Sequence, residues 1–78
     1  MDPRVERVFR EVLDDRRLSL TPESAPGNVA GWDSFAHVKL ILALEEEFGV
    51  SFTVDDVAEA ANLGDLIQVL KQRGADVE

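Results

Sequence analysis

The stretch Gly31-Trp32-Asp33-Ser34-Phe35-Ala36-His37-Val38-Lys39-Leu40-Ile41-Leu42-Ala43-Leu44-Glu45-Glu46-Glu47-Phe48-Gly49 decides the fold. It reads as one complete helix with both ends marked. Asp33 offers a short side-chain oxygen that accepts from backbone N–H groups one turn on, which caps a helix start. Gly49 supplies the residue free to turn left-handed and stop it. Ser34 falls at the first helical position, at the positive end of the helix dipole. A hydroxyl there faces solvent, and a phosphate joined to it would lie near the unpaired N–H groups. At about 100° per residue, Leu40, Ile41, Leu44 and Phe48 make one apolar stripe, the predicted core face. Phe35 and Leu42 fall on the opposite side, flanked by Lys39 and Glu46. Two readings of that outer side stand: a surface built to meet partners, or scattered apolar residues of the kind most surfaces carry.

Before this helix, residues 18–32 show no helical period and hold Pro22, Pro26, Gly27 and Gly31, which punctuate a loop. A loop of that length in so small a domain is expected to be functional or packed down. Leu18, Leu20, Val29 and Trp32 are the residues to pack it, with Trp32 stapling the start of the helix. Earlier still, Asp2 and Pro3 read as a cap and a first-turn proline. Val5, Val8, Phe9, Val12 and Leu13 then share one face, predicting a first helix over about residues 3–17. Its arginines alternate with acids and are expected to pair with them. After Gly49, Thr53 and Asp56 form a capping box that opens a short helix over residues 54–59. Asn62 caps a fourth helix with Leu63, Leu66, Ile67 and Leu70 on its buried stripe, ended by Gly74, with residues 75–78 fraying. The expectation is an all-α fold, a small bundle of four helices with a long first loop and a short third helix.

Seventy-eight residues allow one domain and a small core. There are no cysteines, so disulfides, thiolate metal sites and thiol chemistry by the polypeptide itself are excluded. Any thioester would need a sulfur from a cofactor. No apolar run is long enough to span a bilayer, and no secretory leader opens the chain, so a cytoplasmic monomer is expected. The net charge is −8. Residues 1–17 hold five acids and five bases, so the excess lies in residues 18–78, with eleven acids against Lys39, Lys71 and Arg73. Like charge makes nucleic acid and anionic membrane poor partners. Basic patches on other proteins are complementary, although acidity also serves solubility alone.

Candidate catalytic and metal chemistry is thin. His37 is the only histidine, three positions after Ser34. The wheel turns it towards the edge of the core stripe, and no orienting acid completes a triad. Glu45, Glu46 and Glu47 are consecutive, so their carboxylates fan around the helix. Asp55, Asp56 and Glu59 lack the spacing of a calcium loop. Phosphate-binding glycine motifs are absent. Ser34 is left as an acceptor of a modification, although on local grounds alone an Asp-Ser pair at a helix start is an ordinary cap.

Asp33-Ser34-Phe35, then Val38, Leu40 and Ala43-Leu44-Glu45-Glu46-Glu47-Phe48-Gly49, resembles the second helix of acyl carrier proteins, whose motif is Asp-Ser-Leu. The resemblance covers nearly the whole chain. It implies a single carrier domain over 1–78 that is not an enzyme. A phosphopantetheinyl transferase would attach phosphopantetheine to Ser34, with Asp33 as the acid before it. The arm's thiol would hold acyl or aminoacyl groups as thioesters for loading and processing enzymes, which would dock through basic patches. A tethered substrate gains from effective concentration. By the same resemblance Phe35 stands for the motif's leucine, and Val38, Leu42 and Glu45 match the partner-facing side, with Lys39 and Glu46 beside them. Leu44, Phe48 and Phe52 match positions near the apolar cleft, and Ala60 replaces a residue that is often larger. Ala36 and Lys39 stand where fatty-acid carriers commonly have acids, which points to a specialised pathway, polyketide or related secondary metabolism. The competing expectation is an acidic helical interaction module whose Ser34 is never modified.

Overall fold

The computed structural model describes residues 1–78 as four helices, α1 (Pro3–Val12), α2 (Ser34–Phe48), α3 (Val54–Glu59) and α4 (Leu63–Gln72), and no strand. Each helix begins at the cap the sequence marks. The side chains of Asp2, Asp33, Thr53 and Asn62 accept from Arg4, Ala36, Asp56 and Asp65 N–H respectively, so each start satisfies one of its orphan donors. Thr53 and Asp56 close the capping box in both directions, at 3.0 and 2.9 Å. Gly49 ends α2 at φ 66°, and its N–H and that of Val50 both turn back to the Glu45 carbonyl.

The core is one cluster. Val5, Val8 and Phe9 of α1, Leu40, Ile41 and Leu44 of α2, and Leu63, Leu66 and Leu70 of α4 are buried together, with Leu20, Val29 and Trp32 from the long loop. Trp32 packs edge-on to Phe9, with ring centroids 5.1 Å apart. The loop is also tied by its backbone. Leu63 N–H donates to the Ser24 carbonyl at 2.8 Å and Gly64 N–H to the Pro22 carbonyl at 2.9 Å. These bonds anchor the loop on the start of α4. A long loop held this way costs little fluctuation next to the residue that follows it.

Two expectations are corrected. The first helix ends at Val12, five residues short of residue 17. Asp14 takes a left-handed backbone at φ 52°, and Asp15 N–H reaches back to the Arg10 carbonyl at 3.0 Å. Two carboxylates, Asp14 and Asp15, would oppose the negative end of a longer helix. The chain therefore turns, and Arg10 Nε donates to the Leu18 carbonyl. The C-terminal residues do not fray. Glu78 N–H donates to Asp2 Oδ2 at 3.1 Å, Arg4 donates to the Asp76 carbonyl, and Ala75 and Val77 pack against the core. Ala36, which the resemblance sets beside the arm, is buried at 5% exposure, whereas Lys39 is exposed on the outer face. The expected pairing of the α1 arginines with neighbouring acids holds for Arg4 with Asp2 and Arg10 with Glu6, while Arg7 pairs across to Glu47 of α2.

Candidate functional site

Ser34 is the first residue of α2 and is exposed. The Asp33 carboxylate turns to Ala36 N–H at 2.8 Å, and His37 N–H takes the Asp33 carbonyl at 2.8 Å. These two bonds fix the first turn. They leave the Ser34 hydroxyl without a partner inside the chain and the N–H groups of Ser34 and Phe35 pointing out of the helix start. A hydroxyl so placed is free to be esterified. The donors and dipole beside it suit a phosphate diester. Ser34 also opens onto a cavity of about 360 Å³ lined by Pro26, Asp33, His37, Val57, Ala58 and Ala60. Leu44, Phe48 and Phe52 do not line it. Leu44 is fully buried, Phe48 and Phe52 pack half-buried against the core, and Arg4 lies over the Phe48 ring at 4.6 Å.

The outer face of α2 carries Phe35, Val38 and Leu42, which are 73%, 51% and 59% exposed. Lys39 Nζ sits 4.9 Å from the centre of the Phe35 ring, a cation–π contact that draws the ammonium over the apolar surface. Glu46 is exposed and makes no ion pair, while Glu47 is taken by Arg7. Glu45 departs from the expected outward role. Its carboxylate is half-buried and accepts the Phe52 N–H at 2.7 Å, closing the turn after α2.

His37 is half-buried, as the wheel suggests, and its partners are ones the sequence did not name. Trp32 Nε1–H donates to His37 Nδ1 at 3.1 Å, and His37 Nε2 lies 3.3 Å from the Val57 carbonyl. Pro26 and Ala58 as cavity residues were likewise missed, because they come from the loop and from α3 and meet only in three dimensions. No cluster of histidine, cysteine and carboxylate side chains able to hold a metal is present.

The pieces are a small four-helix domain that offers an exposed, unbonded serine hydroxyl at the start of α2. The family model described as "Phosphopantetheine attachment site" matches residues 3–70, and the chain belongs to the acyl carrier protein family. It is 33% identical over 67 residues to the acyl carrier protein of Helicobacter pylori, covering 86% of each chain. A second strain of that species gives the same identity and coverage. In structure it is similar to the holo acyl carrier protein of Geobacter metallireducens, with a TM-score of 0.81 and 30% identity, covering 91% of this chain and 85% of the other. As a member of this family the chain is a non-catalytic carrier with covalently attached phosphopantetheine. Proteins of this family generally interact with a phosphopantetheinyl transferase and acyl-processing enzymes. No helix is long and apolar enough to cross a membrane.

Proposed function

We propose that Ser34 is the attachment residue, that residues 1–78 work as one carrier domain, and that Phe35, Val38, Lys39, Leu42 and Glu46 form the face that meets partner enzymes. The observation that carries this reading is the exposed, unbonded Ser34 hydroxyl at the start of a helix whose first turn is held by Asp33, with the Ser34 and Phe35 N–H groups left open beside it. Asp33 holds that turn in place, and the N–H groups of Ser34 and Phe35 offset charge on the phosphate. When attached, the arm supplies a thiol that bears acyl groups as thioesters. Phe35, Val38 and Leu42 give a docking enzyme apolar area beside Ser34, and the acidic surface of residues 18–78 steers basic partners towards it. Glu45 supports this face from behind by fixing the turn to Phe52.

Lys39 favours a specialised pathway of polyketide or related secondary-metabolite type over housekeeping fatty-acid synthesis. It places a positive charge inside the face where fatty-acid carriers commonly present an acid. Charging assays check this point: fatty-acid elongation enzymes should use the modified protein much less well than their own carrier. Equal use would remove the pathway assignment.

The absence of cysteine makes the attachment itself easy to read. The unmodified chain has no thiol, so titration with a thiol reagent after treatment with a broad-specificity phosphopantetheinyl transferase should find one thiol per chain. It should find none in Ser34→Ala. No thiol in either protein would leave an unmodified interaction module.

A further inference from the structure

The third helix is held by little. It has six residues and no fully buried side chain, and a helix of that length has no stability of its own. Val57 and Ala60 lie half-buried against the core. Arg73, just past the end of α4, pairs with Asp56, an ion pair with a partly exposed guanidinium, of a kind that contributes little. Towards α2 the polar link is His37. The Trp32 indole N–H only donates, so His37 Nδ1 is the acceptor in the 3.1 Å bond between them. The ring proton then sits on Nε2 and donates to the Val57 carbonyl at 3.3 Å. The two rings lie nearly parallel, 16° apart. The indole is itself locked in the core against Phe9. One imidazole thus joins a rigid core residue to the backbone of the least secured helix, three residues from Ser34 and within the wall of its cavity.

We propose that His37 is a positioning residue: its imidazole, bridging the Trp32 indole and the Val57 carbonyl, fixes α3 against α2 and so sets the width of the cavity onto which Ser34 opens. The consequence for cargo rests on Ser34 carrying the arm, whereas the placement of α3 does not. Asn at position 37 keeps an acceptor near the Nδ1 position and is too short to reach Val57. Gln keeps a donor near the Nε2 position. Phe keeps bulk and removes both.

The test is amide hydrogen exchange, followed by NMR on the unmodified protein. The reporters are the N–H groups of Val57 and Ala60, which close α3 onto the Thr53 and Asp56 carbonyls. Loss of one hydrogen bond that restrains local opening corresponds to about 2- to 10-fold faster exchange. His37→Asn and His37→Phe should show that acceleration in α3, with α1 amides unchanged. His37→Gln should stay within about twofold of wild type. The Trp32 indole N–H resonance should move in His37→Phe and hold nearer its place in His37→Asn. Unchanged α3 exchange in His37→Asn and His37→Phe, equal acceleration in all three variants, or acceleration spread equally over α1 would each overturn the proposal. None of these results bears on whether Ser34 is modified, which thiol titration decides separately.

Discussion

Glu45 and Phe52 are joined across the end of α2: Glu45 Oε2 accepts the Phe52 backbone N–H at 2.7 Å. The bond spans the turn at Gly49 and sets where the chain leaves for α3. A half-buried carboxylate taken up this way supports the turn after α2. Glu45→Ala should therefore destabilise the domain by about 1–2 kcal/mol in urea unfolding, the range for a partly exposed hydrogen bond to a charged group. Glu45→Gln keeps an acceptor and should lose less. Equal losses would show that the bond is not formed in solution.

Asp2 gives the fold a pH dependence. It is 1% exposed, and its bonds to the Arg4 guanidinium, and then to the Arg4 and Glu78 N–H groups, lower its pKa from 3.8 to about 2 against an opposing cost of burial. The folded value is below the unfolded one. The stabilisation is thus present above about pH 4 and is lost as pH falls through about 2. Near neutral pH, wild type should exceed Asp2→Asn by on the order of 1–2 kcal/mol, allowing for the solvent-exposed Arg4 side chain. The gap should close as the solution is acidified towards about pH 2. A gap that stays constant with pH would contradict the role given to the charge.

The two sides of α2 should separate stability from docking. Leu44 is fully buried, so Leu44→Ala should cost about 2–5 kcal/mol. Leu42 is mostly exposed, so Leu42→Ala should cost under about 1 kcal/mol while slowing modification by the transferase. Equal falls in melting temperature would mean that the helix faces are wrongly assigned.

At the end of α1, Asp14 holds a left-handed backbone with φ 52°, which costs a side chain with a Cβ about 1–2 kcal/mol. Asp14→Gly removes that cost and a carboxylate from the negative helix end, and should raise stability by about 0.5–1 kcal/mol. Asp14→Val should lower it. Thermal unfolding of the pair reads the difference directly.

How far the sequence could be read follows from how local each feature is. The start and stop of α2 are written in Asp33 and Gly49, and the start of α3 in Thr53 and Asp56, because caps act within one turn. The end of α1 was misjudged because Val12 and Leu13 continue the apolar period, and only the Asp14-Asp15 pair argues against it. Glu45 looked like its neighbours Glu46 and Glu47, and what separates them is a turn that brings Phe52 N–H back. The links from Asp2 to Glu78 and from His37 to Val57 connect residues far apart in the chain, and no spacing rule announces them.

The central claim is that this domain carries its cargo on Ser34. Its most direct test is the intact mass of the protein co-expressed with a broad-specificity phosphopantetheinyl transferase, beside Ser34→Ala treated in the same way. The account predicts a gain of one phosphopantetheine in wild type and none in the variant. An equal gain in Ser34→Ala, or no gain in wild type with several transferases, would contradict it.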